Sequence, residues 1–406
     1  MTVSGARYSA YLEVDGIDYT KFLSRVRCVV NATLMLPTFT ITLTTDPTQI
    51  FTRDIRKAQI YLRLVSKTET EQVLVKWRLL PVADNKYAPE RGIDDDRFTP
   101  TVYTFNATDA EAFKIAATLV NRFKINCFVH EILSDIITDA SATPEILTET
   151  NNQLYKQILI PPMSLNQAIK YLQKQFGIAS GGLLKHINYK QQVVVADMGK
   201  LVKTYSKPIL IYMRRYDQDF VTAEEQGGNQ INRNRYAFRT DPIIQNVQNK
   251  QALKNKFKQT VIAKPLNSLY KVTEYSLKDI AEQKGVTDAF FDVTYSQVIE
   301  STENVCHDES IYHHDDNPIE IEGTIAAITN QNVVIVGILE QFFDFRHFLY
   351  DPDTFGFVAI VKSYSDSTQS ISGRYLLAAS DILLTKEQEE HWSYQIKVKL
   401  QRTYTL

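Results

Sequence analysis

The chain has 406 residues, 44% hydrophobic and 23% charged, with a formal net charge of −2. That length is generous for one compact core and the composition is that of a folded protein, so two or three domains are expected and extended disorder is excluded. The near-neutral balance gives no overall pull toward nucleic acid or an anionic membrane. Glycine is scarce, at 14 residues, while tyrosine and phenylalanine reach 22 and 20, a usage that suits strands and broad contact surfaces better than phosphate-cradling loops.

The three cysteines, Cys28, Cys127 and Cys306, are far apart, so neither a disulfide framework nor a C-x-x-C metal pair can be written, and a reducing compartment is the simpler reading. MTVSGARYSAYLEV has no apolar core of a signal peptide, and the run VVIVGIL (Val333–Leu339) is too short to cross a bilayer as a helix. A soluble, cytoplasmically made protein is the expectation.

The first hundred residues read as strands. Tyr8, Ala10, Leu12 and Val14 alternate with more polar positions, and Phe39, Ile41 and Leu43 alternate with threonines. AQIYLRLV (Ala58–Val65) and EQVLVKWRLLPV (Glu71–Val82) add two more, with a short helix expected in PTQIFTRDIRK between the earlier strands and these. Near Phe105 the period changes. Thr108 and Glu111 have capping-box spacing, and Phe113, Ala117, Val120 and Phe123 or Lys124 predict one helical face. Val129, Ile132, Leu133, Ile136 and Ile137 predict a further helix.

The sharpest local signal is LIPPMSLNQAIKYLQKQFGI (Leu159–Ile178). Pro161 and Pro162 are expected to stop the preceding extended segment, Ser164 and Gln167 form a capping box, Leu165, Ile169, Leu172 and Phe176 form the apolar face, and Gly177 ends the helix. GGLLKHINYKQQVVVADMG then reads as a pair of strands. Residues 206–290 are mixed and loop-rich, with a short capped helix expected in SLKDIAEQKG. Strand alternation returns at Phe291, Val293 and Tyr295, again at Ile319 and Ile321, and ends with Trp392, Tyr394, Ile396, Val398 and Leu400 on one face. The expected organisation is therefore 1–105 β, 106–205 helical α/β with a strand pair, 206–290 connecting, and 291–406 β, with discontinuous domains allowed. No 20–50-residue repeat is present.

Chemistry is sparse. CHDESIYHHDD (Cys306–Asp316) gathers Cys306, His307, His313 and His314 with four carboxylates. Adjacent pairs are hard to aim at one zinc ion, and a charged inter-strand loop is the simpler reading, a metal site the alternative. GIDDDRF (Gly92–Phe98) lacks the calcium-loop pattern and reads as a charged interface edge or loop cap. From Arg233 to Lys258, seven basic residues (Arg233, Arg235, Arg239, Lys250, Lys254, Lys256 and Lys258) face one acid, Asp241, with Tyr236 and Phe238 interleaved. Such a stripe can grip single-stranded nucleic acid, but in a neutral chain a basic rim for an acidic protein partner is favoured. Cys127 and His130 read as core packing on a helix. There is no Walker pattern, G-x-S-x-G elbow or H-E-x-x-H, so no catalytic residue, cofactor or metal is assigned.

Three stretches carry a family resemblance. LIPPMSLNQAIKYLQKQFGI leading into GGLLKHINYKQQVVV, SISGRYLLAASDILL leading into HWSYQIKVKLQRTY, and the opening YSAYLEVDG together resemble the central baseplate hub proteins of contractile-tailed phages, which are related to the hub portion of type VI secretion spike proteins. In the second stretch a glycine-led strand pairs with a terminal amphipathic strand ending in Arg. The resemblance implies an α+β, predominantly β fold: two tube-like antiparallel β-barrel domains, 1–105 and 291–406, around the helical region. It implies a non-enzymatic homotrimer in the virion tail baseplate, made in the host cytoplasm, that adapts a six-fold tail tube to a three-fold central spike and forms part of the channel. Implied partners are the chain itself, the tail tube or distal tube protein, the central spike protein, other baseplate proteins, and the tape measure protein or DNA in the channel, with no membrane insertion. The alternatives are a single-barrel tube-end or baseplate wedge protein, or a hydrolase or metalloprotein built on His307, His313 and His314.

Overall fold

The computed structural model describes residues 8–45, 57–67, 71–87, 101–148, 154–179, 183–213, 235–245, 260–263, 273–276, 334–339, 345–354, 356–362, 371–388 and 391–402. The segments Cys306–Asp316 and Gly92–Phe98, the expected helices in PTQIFTRDIRK and SLKDIAEQKG, and the strands expected at Phe291–Tyr295 and Ile319–Ile321 lie outside the described residues.

The chain opens with seven strands: β1 (Tyr8–Val14), β2 (Ile17–Asp18), β3 (Leu23–Asn31), β4 (Thr38–Thr45), β5 (Ile60–Lys67), β6 (Glu71–Tyr87) and β7 (Thr101–Asp109). The alternations expected on β1 and β4 bury their apolar sets: Tyr8, Ala10, Leu12 and Val14 on β1, and Phe39, Ile41 and Leu43 on β4, are all in the core. A helical module follows: α1 (Ala110–Ala117), β8 (Leu119–Phe128), α2 (Val129–Asp139), β9 (Thr143–Ile146), β10 (Leu154–Ser164), α3 (Leu165–Gln175), β11 (Leu183–Ile187), β12 (Gln192–Asp197) and α4 (Met198–Thr204). The remaining strands are β13 (Ile209–Tyr212), β14 (Arg235–Ala237), β15 (Ile243–Gln245), β16 (Thr260–Ala263), β17 (Thr273–Ser276), β18 (Val334–Leu339), β19 (Val358–Lys362), β20 (Gly373–Gln388) and β21 (His391–Gln401).

Fourteen of these strands form one sheet, ordered β14-β13-β19-β20-β3-β4-β7-β6-β5-β1-β2, with β21, β18 and β15 branching from β20. The branch arises because β20 and β21 are long enough to serve two neighbourhoods. Residues Val358–Val361 of β19 pair with Gly373–Leu376 of β20, whereas β3 pairs with Ala379–Thr385 of the same strand. On the other side, β18 pairs only with Ile396–Gln401 of β21. The first half of β21 instead approaches β1, where Tyr8 and Tyr394 meet edge to face at 5.3 Å.

Two barrels result, and they share the C-terminal hairpin. The first runs β21-β20-β3-β4-β7-β6-β5-β1 and is completed by side-chain packing between β1 and β21. The second runs β18-β21-β20-β19-β13-β14 and is closed by hydrogen bonds. Phe238 bridges Leu339, the Arg239 amide donates to the Ile338 carbonyl at 2.8 Å, and β15 pairs with β18 just beyond. Closure removes the exposed strand edges that would otherwise invite pairing with another chain. A predominantly β α+β fold is thus what the chain adopts. Its first barrel incorporates strands from both ends of the sequence, and residues 209–245 build part of the second.

Two glycines are required where they stand. Gly356 has φ +126, and a Cβ there would lie 1.5 Å from the His347 carbonyl oxygen. Gly373, which leads β20, has φ +151, and a Cβ would lie 2.9 Å from the Arg402 guanidinium just after β21. That guanidinium donates to the Ser372 carbonyl at 3.2 Å and lies over the Tyr375 ring, locking the two ends of the hairpin together.

In the module, α2 and α3 have the expected faces. Val129, Ile132, Leu133, Ile136 and Ile137 of α2 are buried, as are Leu165, Ile169 and Leu172 of α3. The Ser164 hydroxyl accepts from the Gln167 amide at 3.4 Å, the Gln167 side chain accepts from the Ser164 amide, and Gly177 follows with φ +70. Three expectations are corrected. The first helix is capped by Asp109 rather than Thr108 and ends at Ala117, after which Leu119–Phe128 is a strand, so Val120, Phe123 and Lys124 belong to no helix. Phe113 consequently faces solvent, while Ala112, Ile115 and Ala116 form the buried face. The strand β10 runs through Pro161 and Pro162, with a register shift against β8 between Ile160 and Met163, so the prolines make an irregularity rather than a stop.

The three-stranded sheet β11-β12-β9 lies between two cores. Leu184, Val194 and Ala196 join the barrel core, and Ile187, Val193 and Val195 join the module core with α2 and α3. Alternate side chains of one small sheet therefore tie module to barrels.

Candidate assembly interface

No group of three or more His, Cys, Asp and Glu is arranged to hold a metal ion among the described residues. Cys28 and Cys127 are buried free thiols, and burial raises the pKa of both, which makes them packing residues rather than nucleophiles. His130 lies in the first turn of α2 and stacks on Phe128, while Cys127 belongs to β8, so the two do not share a helix.

The basic stripe is only partly a surface. Tyr236 and Phe238 are buried in the second barrel, and Tyr236 hydrogen-bonds His347 there. Those rings are unavailable for stacking on bases, which removes the aromatic half of a nucleic-acid grip; Arg233 and the lysines beyond Gln245 lie outside the described residues.

The most distinctive surface is the two-stranded ribbon of β8 and β10. On β8 the usual pattern is inverted. Arg122 and Lys124 turn toward α2, where Arg122 pairs with Asp139 at 3.4 Å and Lys124 with Asp135 at 3.1 Å. Phe123 and Ile125 turn outward, 55% and 63% exposed, and Leu159 of β10, directly opposite Phe123 in the register, is 56% exposed. Leu119 and Leu154 extend the ribbon's exposed apolar surface toward its ends. An apolar sheet face held outward by ion pairs behind it is a surface built to be covered. Sequence reasoning missed it because Phe123 also fits a helical period running on from Phe113.

A second surface has opposite character. Between β4 and β7 hydroxyls and an amide interlock on the outer side: Thr40 donates to Asn106 at 2.9 Å and Thr104 to Thr42 at 3.3 Å. Arg25 and Arg27 border them on β3, and Lys397 and Lys399 are exposed further round on β21.

Module and second barrel are joined by a polar knot. Buried Asp351 accepts from the Tyr189 hydroxyl at 2.6 Å and from the Lys190 ammonium at 2.9 Å, and Lys190 also reaches Asp353 at 2.6 Å. Beside it, His186 donates from Nδ1 to the Leu34 carbonyl at 2.9 Å, and burial pushes its pKa down to about 4, so the ring is neutral and fixed at physiological pH. These contacts hold the ribbon in a set orientation relative to the barrels.

Paired barrels, a packed helical module and an uncovered ribbon define a β-barrel protein with the fold of phage tail proteins. Over 98% of this chain and 97% of the other, it resembles the tail protein from Neisseria meningitidis MC58, with a TM-score of 0.56 at 12% identity. Over 97% and 96% it resembles the 43 kDa tail protein of prophage MuSo2 from Shewanella oneidensis, with a TM-score of 0.53 at 10% identity. No curated protein sequence matches the chain. The chain belongs to the family described as bacteriophage PBS1 gene 109 protein, whose profile matches residues 51–278, more than half of its length.

Proposed function

We propose that this chain is a non-enzymatic structural component of a phage tail, acting as the central hub of the baseplate. In this reading three copies associate, and their six barrels meet a six-fold tail tube on one side and a three-fold spike on the other. The observation that carries it is the presence of two barrels in one chain, fused through the shared β20–β21 hairpin, because three copies then present six barrel domains. That count favours the hub over a tube-end or wedge protein with a single barrel. The tail-tube or distal-tube protein, the central spike protein and neighbouring baseplate proteins are the partners of this reading, with the tape measure protein or DNA passing through the channel. The apolar ribbon face supplies surface for assembly to cover.

Imaging of the purified chain, alone and mixed with the spike protein encoded by the same phage, tests the proposal. A three-fold ring with an open centre is the expected particle. A monomer that associates with neither itself nor the spike overturns it.

A further inference from the structure

Lys185 occupies a position that the alternation of β11 assigns to the interior. Ile187 and the partly buried Leu183 on either side of it pack into the module core, and Val195 of that core lies directly opposite in the register. Lys185 is only 6% exposed. Its ammonium donates to Asn166 Oδ1 at 2.6 Å, on the first turn of α3, and no carboxylate is paired with it among the described residues. The charged group that acts on it is another cation, Lys170, which is exposed one turn further along α3. Burial, and then Lys170, push the Lys185 pKa down to about 8, so the ammonium still carries its proton at neutral pH.

A buried ammonium facing a neutral amide and a like charge is costly, and an apolar side chain of similar length would fill the site with less strain on stability. Lys190, in the turn that follows β11, has two carboxylates beside it. Among the described residues, no such group stands beside Lys185. Asn166 is half-buried and Lys170 is open, so the α3 surface is the side from which a counter-charge reaches the ammonium.

We infer that Lys185, Lys170 and Asn166 form a receptor for a carboxylate side chain, an Asp or Glu presented by a docking protein segment. The carboxylate supplies a counter-charge that none of the described residues provides, and the Asn166 amide stands ready to donate to its second oxygen. This inference goes beyond the hub reading and does not depend on it, since any acidic protein segment docking over α3 satisfies the site.

The test uses the full chain with poly-L-glutamate as probe at low salt, following the Lys185 side-chain resonances by NMR. The expected result is a rise in the Lys185 pKa of half a unit or more on adding the probe, with a weaker response in Lys170→Met. Lys185→Met is expected to melt at a higher temperature than the parent while binding poly-L-glutamate several-fold more weakly. Resonances of Lys185 that ignore the probe overturn the inference, as does a Lys185→Met variant that melts lower than the parent or binds the probe equally well. An equal shift with polyphosphate overturns the assignment to a carboxylate. None of these outcomes bears on whether the chain forms a three-fold ring.

Discussion

The two barrels share a hairpin yet are assembled from very different parts of the chain. The first takes six of its strands from residues 8–109, with sequential neighbours such as β3–β4, β5–β6 and β6–β7 paired directly. The second collects β13, β14, β18 and β19 from widely separated segments, pairing Ile209 with Ala359, and closes them through the short contact of Phe238 and Arg239 with β18. Long-range pairing must meet its loop-closure entropy before its contacts form, so the second barrel depends on the hairpin being in place. One ladder row makes the dependence visible: Leu339, Ile396, Ile382, Cys28, Phe39 and Ala107 follow one another across six strands and both barrels.

Breaking that row at its junction has the largest expected effect. Ile396→Asp buries an unpaired charge where both barrels meet, and a loss above about 4 kcal/mol is expected. Urea unfolding should show both barrels lost in a single transition. If the first barrel retained protected amides, it would be independent of the hairpin and the shared-strand picture would fail. Phe238→Ala probes the second barrel alone. Phe238 is fully buried against Gly337, where a Cβ would lie 2.5 Å from its ring. Removing the ring should cost about 3–5 kcal/mol. Hydrogen exchange should quicken in β13, β18 and β19 and stay slow in β4 and β5.

The same contrast explains what could be read from the sequence. The alternations of β1, β4 and β21 and the faces of α2 and α3 were legible because each is long, regular and locally punctuated, as at Ser164 and Gly177. The closing strand of the second barrel was not legible, since Arg235–Gln245 makes its ladder contacts in pieces of at most three residues, split between β13 and the distant β18. Tyr236 and Phe238 looked like surface aromatics because basic residues surround them, and only barrel closure reveals that they face inward. The ribbon was misread for a related reason. Phe113, Ala117, Val120 and Phe123 fit a helical period by coincidence, while the pairing that decides the matter, Leu119 with Ser164 and Phe123 with Leu159, is long-range. Of the interface, the apolar composition was visible and its outward aim was not.

Asp109 marks where the first barrel hands over to the module, and it gives the comparison a pH axis. Its carboxylate caps α1, accepting from the Glu111 amide at 3.0 Å, but burial outweighs those donors and raises its pKa from 3.8 to about 6. The folded state therefore holds this proton up to about pH 6, while the unfolded chain releases it near 3.8. Between those values the folded state binds more protons, so stability from this group falls as pH rises and is fully lost above the folded pKa. The difference is on the order of 3 kcal/mol. Asp109→Asn keeps an acceptor for the cap and should flatten that slope, gaining stability at pH 7 relative to the parent and little at pH 4. Denaturant titrations at the two pH values measure it, and parallel slopes in parent and variant would remove Asp109 as the cause.

The smallest expected effect lies on the seam where β3 meets the shared hairpin. Arg27 grips Asp381 with two parallel hydrogen bonds, Nε to Oδ1 at 2.8 Å and Nη2 to Oδ2 at 2.7 Å, the geometry in which such a pair is strongest. The arginine side chain is nevertheless 48% exposed, so water competes for both partners and screens their attraction. Beneath the pair, Cys28 and Ile382 are directly opposed and buried in the row that crosses both barrels. If that row holds the seam, a double-mutant cycle on Arg27→Met and Asp381→Asn should return a coupling below about 1 kcal/mol. A coupling several times larger would mean that the ion pair, rather than the buried row, fixes the register between the N-terminal strands and the hairpin. The first barrel would then depend on salt concentration in a way that the second, closed by backbone hydrogen bonds and Phe238, would not.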